Sequence, residues 1–353
     1  MHGKDVRLKS LSVVFGDTIA LHPIDLTIAG GEFFSVLGPS GAGKTTLLRT
    51  VSGLLAPALG RLLIGGVDVT DLGPERRPTA MVFQSLALFP LMSVADNVAF
   101  GLEARGIGRA ARRARAEELL DLVGLGGLGG RRPADLSAGE SRRVAVARAL
   151  AVDPAVLLLD EPLAGLDLDL RRRLRQELKA IQRRTGVTVV HVTHDQGEAL
   201  ALSDRVAVMN AGRIEQVDTP DLVYSRPATR FVAGFVGEQN VLAGRVAEVL
   251  RDRVAVVTAL GRILATPRAP LAAGDAVEVM VRPERLLLES ERAERGLGDA
   301  DGDGWNRFHA DLLGRSLDGA TVAHDLAVGD TRLIMHRPNL GLRDLLLPSL
   351  HAV

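Results

Sequence analysis

Between residues 6 and 37 apolar and polar positions alternate through two long runs, "VRLKSLSVVF" and "TIALHPIDLTI", before the almost wholly apolar "FFSVLG". Alternation predicts half-buried strands. A short apolar run bounded by glycine predicts a strand buried on both faces. A helix is expected from about Lys44 to Leu54. Further strands are expected at "RLLIGG", "AMVFQ", "AVLLLDE", "VTVVHVTH", "DRVAVMNAG" and "GRIEQVD". Helical patterns cover 109–123, 138–151 and 169–184. Buried strands alternating with helices predict an α/β fold with a largely parallel sheet covered on both faces. The run "GLGGLGGRRPAD" (124–135) reads as a loop leading into the helix at 138.

The pattern changes near "RPATRFVAGFVGEQN" (226–240). Helical periodicity fades, and short strands follow at "VLAGRVAEVL", "RVAVVTALGRIL", "AVEVMVRPERLLL", "FHADLLGRSL" and "TRLIMHRP". Their spacing is that of a small all-β barrel. A domain boundary is therefore expected near 237, with residues 1–237 and 238–353 on either side. The polar loop 289–305 carries Asp299, Asp301, Asp303 and Gly304, which match the first half of a calcium-binding loop. The twelfth position, where a bidentate Glu belongs, is Ala310, and no helical pattern precedes the loop. It reads as a solvated loop.

The charge balance narrows the partners. Lys+Arg and Asp+Glu number 43 each, for a formal net charge of zero. This gives no electrostatic footprint for nucleic acid. Cysteine is absent, which excludes disulfides and thiolate metal sites. The N-terminus "MHGKDVRLKS" carries no apolar signal segment, and no stretch reaches the ~18 apolar residues that span a bilayer. Any membrane crossing is expected from other chains. Lysine occurs only at Lys4, Lys9, Lys44 and Lys179, so each bears inspection.

Lys44 lies in "GPSGAGKTT" (38–46), after an apolar strand and at the opening of a helix. This is the context of a phosphate-binding loop. Gly38, Gly41 and Gly43 let the backbone turn tightly, so that N–H groups converge on phosphate oxygens at a helix N-terminus. Lys44 adds a charge for the β- and γ-phosphates, and Thr45 a hydroxyl for Mg²⁺. "VLLLDEP" (156–162) is a second buried strand ending in two acids. Asp160 suits Mg²⁺, and Glu161 suits the attacking water. His194 stands at the end of "VTVVHVTHD" (187–195), placed to reach a γ-phosphate, whereas His191 inside that strand reads as core. Gln84 follows "MVF" and could reach Mg²⁺ or the water.

These motifs, in this order, resemble the ATP-binding subunits of ATP-binding cassette transporters. "GPSGAGKTT" resembles Walker A, "VLLLDEP" Walker B, Gln84 the Q-loop, "AGLD" (164–167) the D-loop and His194 the switch histidine. "DLSAGESRRVAVARAL" (135–150) resembles the signature segment. The resemblance spans residues 5–237 and implies a P-loop core with an antiparallel β subdomain and a helical subdomain at about 85–152. It implies ATP and Mg²⁺ as cofactors. Ser40, Thr46 and Phe15 join the nucleotide site, with Phe15 stacking on adenine; its other reading is a strand core residue sharing a face with Val13. The resemblance also implies a head-to-tail dimer. Ser137 and Gly139 of one chain would then close over ATP bound to the other, with Glu140 beside them and Asp167 at the seam. The family usually reads Leu-Ser-Gly-Gly-Gln, and this chain has Ala138 and Glu140 in that stretch. A working signature with weakened closure is expected.

"FQSLALFPLMSVADNVAFGLEARGI" (83–107) resembles the region of bacterial importer ATPases that receives the membrane subunit. "YSRPATRFVAGFVGEQNVLAG" with "VRPERLLL" resembles the start of their C-terminal transport-associated, oligonucleotide-binding-like domain. This implies a permease, a periplasmic or lipid-anchored binding protein reached through it, and a peripheral place on the cytoplasmic face of the inner membrane. The layout leans toward polyamine and ferric-iron importers, with sugar, sulfate and phosphonate importers as alternatives. A non-transport cassette ATPase and a degenerate regulatory cassette are the remaining readings.

Overall fold

The buried run at 33–37 lies at the centre of a six-stranded sheet in a computed structural model that describes residues 2–288, 306–339 and 350–352. In chain order the N-terminal elements are β1 (Val6–Phe15), β2 (Thr18–Ile28), β3 (Phe33–Leu37), α1 (Lys44–Ser52), β4 (Leu59–Ile64), β5 (Val67–Asp68), β6 (Thr79–Val82), α2 (Val94–Ala104) and α3 (Arg109–Leu122). There follow α4 (Ala138–Ala151), β7 (Val156–Asp160), α5 (Leu168–Thr185), β8 (Thr188–Thr193), α6 (Gln196–Leu202), β9 (Arg205–Asn210), β10 (Arg213–Asp218), α7 (Pro220–Ser225) and α8 (Arg230–Phe235).

The six-stranded sheet has the order β10-β9-β3-β8-β7-β6. Its pairs are parallel except β9 with β10. Every residue of β3, β7 and β8 is buried, as their largely apolar runs predict, including the polar Ser35, His191 and Thr193. The alternating runs at the N-terminus go elsewhere. They form an antiparallel sheet of order β2-β1-β4-β5. One apolar core joins that sheet and α1 to one face of the parallel sheet. A second core joins α2, α3, α4 and α5 to the other face. Among the described residues no helix is long and apolar enough to cross a membrane.

Helix limits follow local chemistry. α1 ends at Gly53, whose φ of 87° takes the left-handed cap glycine favours. α5 starts on Asp167, which accepts the Leu170 N–H, and ends on left-handed Gly186. Its buried Leu174, Leu178 and Ile181 make one stripe at helical spacing. α2 lay outside the helical periodicity, because the polar Asn97 sits on its buried face.

The chain divides into two compact units, Met1–Val232 and Ala233–Val353. Among the described residues the second is β-stranded after α8, apart from one 3-10 turn at Pro283–Arg285. It holds β11 (Asn240–Val249), β12 (Val254–Thr258), β13 (Gly261–Ala265), β14 (Ala276–Val281), β15 (Phe308–Asp318), β16 (Thr321–Val328), β17 (Thr331–Pro338) and β18 (Leu350–Ala352). They make two antiparallel sheets, β13-β12-β11-β14 and β17-β16-β15-β18. The turns between β15, β16 and β17 each begin on a left-handed glycine, Gly319 and Gly329. The calcium-loop match at Asp299, Asp301, Asp303 and Gly304 lies outside the described residues. Ala310 is a buried residue of β15.

Candidate functional site

The loop from Gly38 to Gly43 joins the end of β3 to α1, as a phosphate-binding loop requires. Two of its glycines are sterically fixed. A Cβ on Gly38 would lie 2.4 Å from the Met209 carbonyl oxygen. Gly43 has φ 97° and abuts Leu21 and the Ala20 carbonyl. Gly41 also takes a left-handed φ, 80°, with open space where a side chain would be. No side chain caps the first turn of α1, while within the loop the Ala42 N–H donates to the Pro39 carbonyl. That leaves a donor-lined cradle for an anion.

Lys44 is only 6% exposed, and its Nζ donates to the carbonyls of Gly38 at 2.7 Å and Pro39 at 2.8 Å. Burial holds its pKa below the ordinary lysine value, while the Glu161 and Asp160 carboxylates pull it back up. Asp160, at the end of β7, is 8% exposed and accepts from Thr45 Oγ1 at 3.3 Å. Burial pushes its carboxyl above the usual range, and the Thr45 bond opposes that shift. Thr45 and Thr46 are half-buried in the first turn of α1, and Ser40 is exposed at the loop tip.

Glu161 follows Asp160 with φ 46°, an unusual angle for a residue with a side chain. Its N–H donates to the Val192 carbonyl at 3.0 Å. The carboxylate then meets two predicted partners. His194 Nδ1 lies 3.1 Å from one oxygen, and Gln84 Nε2 donates to the other at 3.4 Å. The structure thus brings Gln84, Glu161 and His194 together, and Lys44, Thr45 and Asp160 beside them. β6 ends at Val82, so Gln84 sits two residues past the strand rather than at its end.

Ser137, Gly139 and Glu140 form the mouth of α4. Ser137 Oγ accepts the Glu140 N–H at 3.3 Å, and Glu140 Oε2 accepts the Ser137 N–H at 2.7 Å. This reciprocal capping box holds the Glu140 carboxyl below its ordinary pKa, chiefly through the Ser137 bonds. Ala138 is the first helical residue and is absent from the positive-φ positions, so its methyl strains nothing. Gly139 is buried, and a Cβ there would come 3.1 Å from Leu170 Cδ1. Asp167 is exposed and caps α5. Phe15 is 52% exposed while Val13 is 1% exposed, so the ring does not share the core with Val13.

Sequence reasoning missed several groups behind these residues. His191 was read as core; it is fully buried, and it also belongs to a polar network. Its Nδ1 bonds Ser35 Oγ at 2.9 Å, and burial lowers its pKa to about 4. Glu198, also buried, accepts from Thr193 Oγ1 at 2.8 Å, and Arg171 bridges Asp195 to the Leu166 carbonyl. Arg142 and Arg148 of α4 bind backbone carbonyls beyond Glu161 and Gln84. No local pattern marks these two: Arg143, next to Arg142 in the same run, pairs with Glu177 instead.

Comparison with known proteins gives this geometry a family. The ABC transporter family model matches residues 21–164. The spermidine/putrescine import ATP-binding protein PotA of Acidothermus cellulolyticus is 49% identical over 288 residues, which cover 80% of this chain and 75% of that protein. The chain belongs to the ABC transporter ATPases. A second relative of this ABC ATPase, the protein of the same name from Pseudomonas fluorescens, is 44% identical over 344 residues, 95% of this chain and 90% of its own length. Among solved structures, a dimeric post-hydrolysis ATP-binding cassette bound to ADP and Pi is 33% identical. It covers 61% of this chain and 98% of its own, with a TM-score of 0.54. A Clostridium perfringens protein described as part of an ABC transporter complex is 32% identical, covering 63% and 90%, with a TM-score of 0.59. The P-loop cassette and the all-β C-terminal unit of this ABC ATPase accord with the expected fold.

Proposed function

We propose that this chain is the ATP-hydrolysing subunit of a bacterial polyamine importer, working as a head-to-tail dimer on the cytoplasmic face of the inner membrane. The observation that carries the catalytic reading is the Glu161 carboxylate held between His194 and Gln84, beside Lys44 and Asp160. The polyamine assignment rests on relatives named as spermidine/putrescine import proteins.

In this reading the cradle of residues 38–43 and the start of α1 bind the β- and γ-phosphates through backbone N–H groups. Lys44 exchanges its carbonyl partners for phosphate oxygens, and Ser40 and Thr46 add hydroxyl donors. Phe15 offers an exposed ring to the adenine. Thr45 and Asp160, already joined, present two hard oxygen ligands, and Gln84 presents a third. Among the described residues no cluster of three or more His, Cys, Asp or Glu side chains could hold a metal alone. That fits an ion which takes part of its shell from phosphates and water, as Mg²⁺ does. When bound, Mg²⁺ would neutralise charge on the phosphates.

Glu161 accepts the proton of the attacking water. His194 and Gln84 fix the orientation of its carboxylate. A positioned base of this kind contributes roughly 10²–10⁴-fold. Ser137 and Gly139 of the second chain supply a further helix mouth to the γ-phosphate, with Glu140 beside it and Asp167 at the seam. A permease and a substrate-binding protein complete the importer, and the α2 region receives the permease.

Proteoliposomes holding the chain with a polyamine permease test this. External spermidine with its binding protein should raise ATP hydrolysis and drive uptake, while ferric iron or sugars should not. Uptake of another substrate class with no response to polyamine would overturn the assignment.

A further inference from the structure

Helix α4 carries the signature residues at its mouth and two inward arginines farther along. Arg142, half-buried, donates from Nε to the Pro162 carbonyl and from its terminal nitrogen to the Ala164 carbonyl at 2.5 Å. Those carbonyls belong to the turn that begins at Glu161, closed by the Ala164 N–H on the Glu161 carbonyl at 3.2 Å. Glu161 is held at a positive φ, with its N–H on Val192. The turn therefore has little freedom of its own. Its outer carbonyls are fixed by one planar guanidinium fork, whose charged donors make stronger bonds than neutral ones.

Arg148 does the same on the next part of the helix. Its guanidinium donates to the carbonyls of Leu86 and Ala87, each at 2.6 Å. Both residues have positive φ, 60° and 47°, and they lie just beyond Gln84. The two segments that carry Glu161 and its Gln84 partner are thus both mounted on α4. Ser137 is five residues from Arg142, roughly 7.5 Å along a rigid helix.

We propose that Arg142 is a positioning residue that ties the signature mouth of α4 to Glu161 of the same chain. Closure of the mouth on the facing ATP then sets the base at the chain's own ATP. The inference rests on the reading above, in which Ser137 and Gly139 contact ATP held by the second chain and Glu161 is the base. A helix that moves as one body carries the 161–164 turn with it, so the two sites of the dimer act together.

The test is steady-state phosphate release by the full chain over a range of Mg-ATP, for the parent, Arg142→Ala, Arg142→Gln and Arg142→Lys. Rates are normalised to folded protein by thermal melts. Arg142→Ala should lower kcat by about tenfold or more, as a slightly misplaced catalytic group does. KM for ATP should change less than about threefold, because the P-loop is untouched. The Hill coefficient should fall from above one toward one, and Arg142→Lys should restore part of kcat. In a Glu161→Gln background, Arg142→Ala should still form the Mg-ATP dimer. Should Arg142→Ala not fold, Arg142→Gln, with a single donor nitrogen in place of the two-nitrogen fork, is read for the same quantities. The proposal is overturned if kcat and the Hill coefficient per folded chain stay within about twofold of the parent. It is also overturned if the only change is a smaller folded fraction. A parent chain that neither binds nor hydrolyses ATP would instead overturn the underlying reading.

Discussion

Two helix starts are assigned to phosphate, and they are built in opposite ways. α1 opens on Gly43, which has no side chain to cap it, and its first-turn N–H groups remain available. α4 opens on Ser137, whose hydroxyl takes the Glu140 N–H, while Glu140 turns back onto the Ser137 N–H. In the proposed reading the first is an anion site prepared within one chain. The second satisfies part of its own demand and keeps a carboxylate at its mouth. A capping box satisfies two of the N–H groups that a helix start otherwise leaves without partners. The α4 mouth is therefore stable without a ligand, whereas the α1 loop depends on glycine geometry. In the proposed dimer, a site completed by a second chain has to persist while that chain is away, and the capping box would meet that need.

The largest effect should come from breaking the α1 side. Lys44→Ala removes the charge set among Asp160, Glu161 and the loop carbonyls. Titration with a fluorescent ATP analogue should show loss of tight Mg-ATP binding, and unchanged affinity would reject the P-loop assignment.

Breaking the α4 side should leave that binding intact. Gly139→Asp brings a carboxylate to the mouth and crowds Leu170. Phosphate release should fall by about 100-fold or more, the cost of losing a transition-state donor. Affinity of the isolated chain for ATP should stay near the parent value. A parallel loss of ATP affinity would mean that the mouth acts within its own chain.

Much of this contrast was legible in the sequence. β3, β7 and β8 are largely apolar runs followed by glycine, acids or histidine, so strand and chemistry are legible together. α5 was legible because Leu174, Leu178 and Ile181 keep helical spacing. α2 was not, since Asn97 occupies its buried face. That side chain bonds the Phe89 N–H and carbonyl and the Ser93 carbonyl, a long-loop role with no local signature. Arg142 and Arg148 were invisible for a related reason: their partners are backbone carbonyls, which every residue offers. The capping box was half-legible. An acidic residue in the first turn suits the helix dipole, but the reach of Glu140 back to Ser137 appears only in three dimensions.

A smaller effect should sharpen the comparison. Ala138→Gly with Glu140→Gln keeps a side chain able to cap Ser137 while removing the negative charge from the mouth. ATPase activity with the cognate permease should rise by less than about tenfold, or ~1.4 kcal/mol. An inert parent rescued by orders of magnitude would mark a degenerate signature.

The smallest effect concerns the sheet beneath the α1 loop. Burial lowers the His191 pKa from 6.5 to about 4. The unfolded chain takes up this proton near 6.5 and the native chain only near 4. The stability from the neutral ring is thus present above 6.5 and is lost as pH falls through that window. The melting-temperature advantage of the parent over His191→Gln should shrink between pH 7 and pH 5. An advantage independent of pH would show that His191 does not resist protonation.

The central claim is that one ATP needs the α1 start of one chain and the α4 start of another. The most direct measurement is the solution mass of Glu161→Gln with Mg-ATP, by size exclusion with light scattering, in the presence and absence of Gly139→Asp. The expected result is a dimer that persists with ATP and is lost when Gly139→Asp is added. Tight ATP binding with a monomeric mass in both variants would contradict the claim.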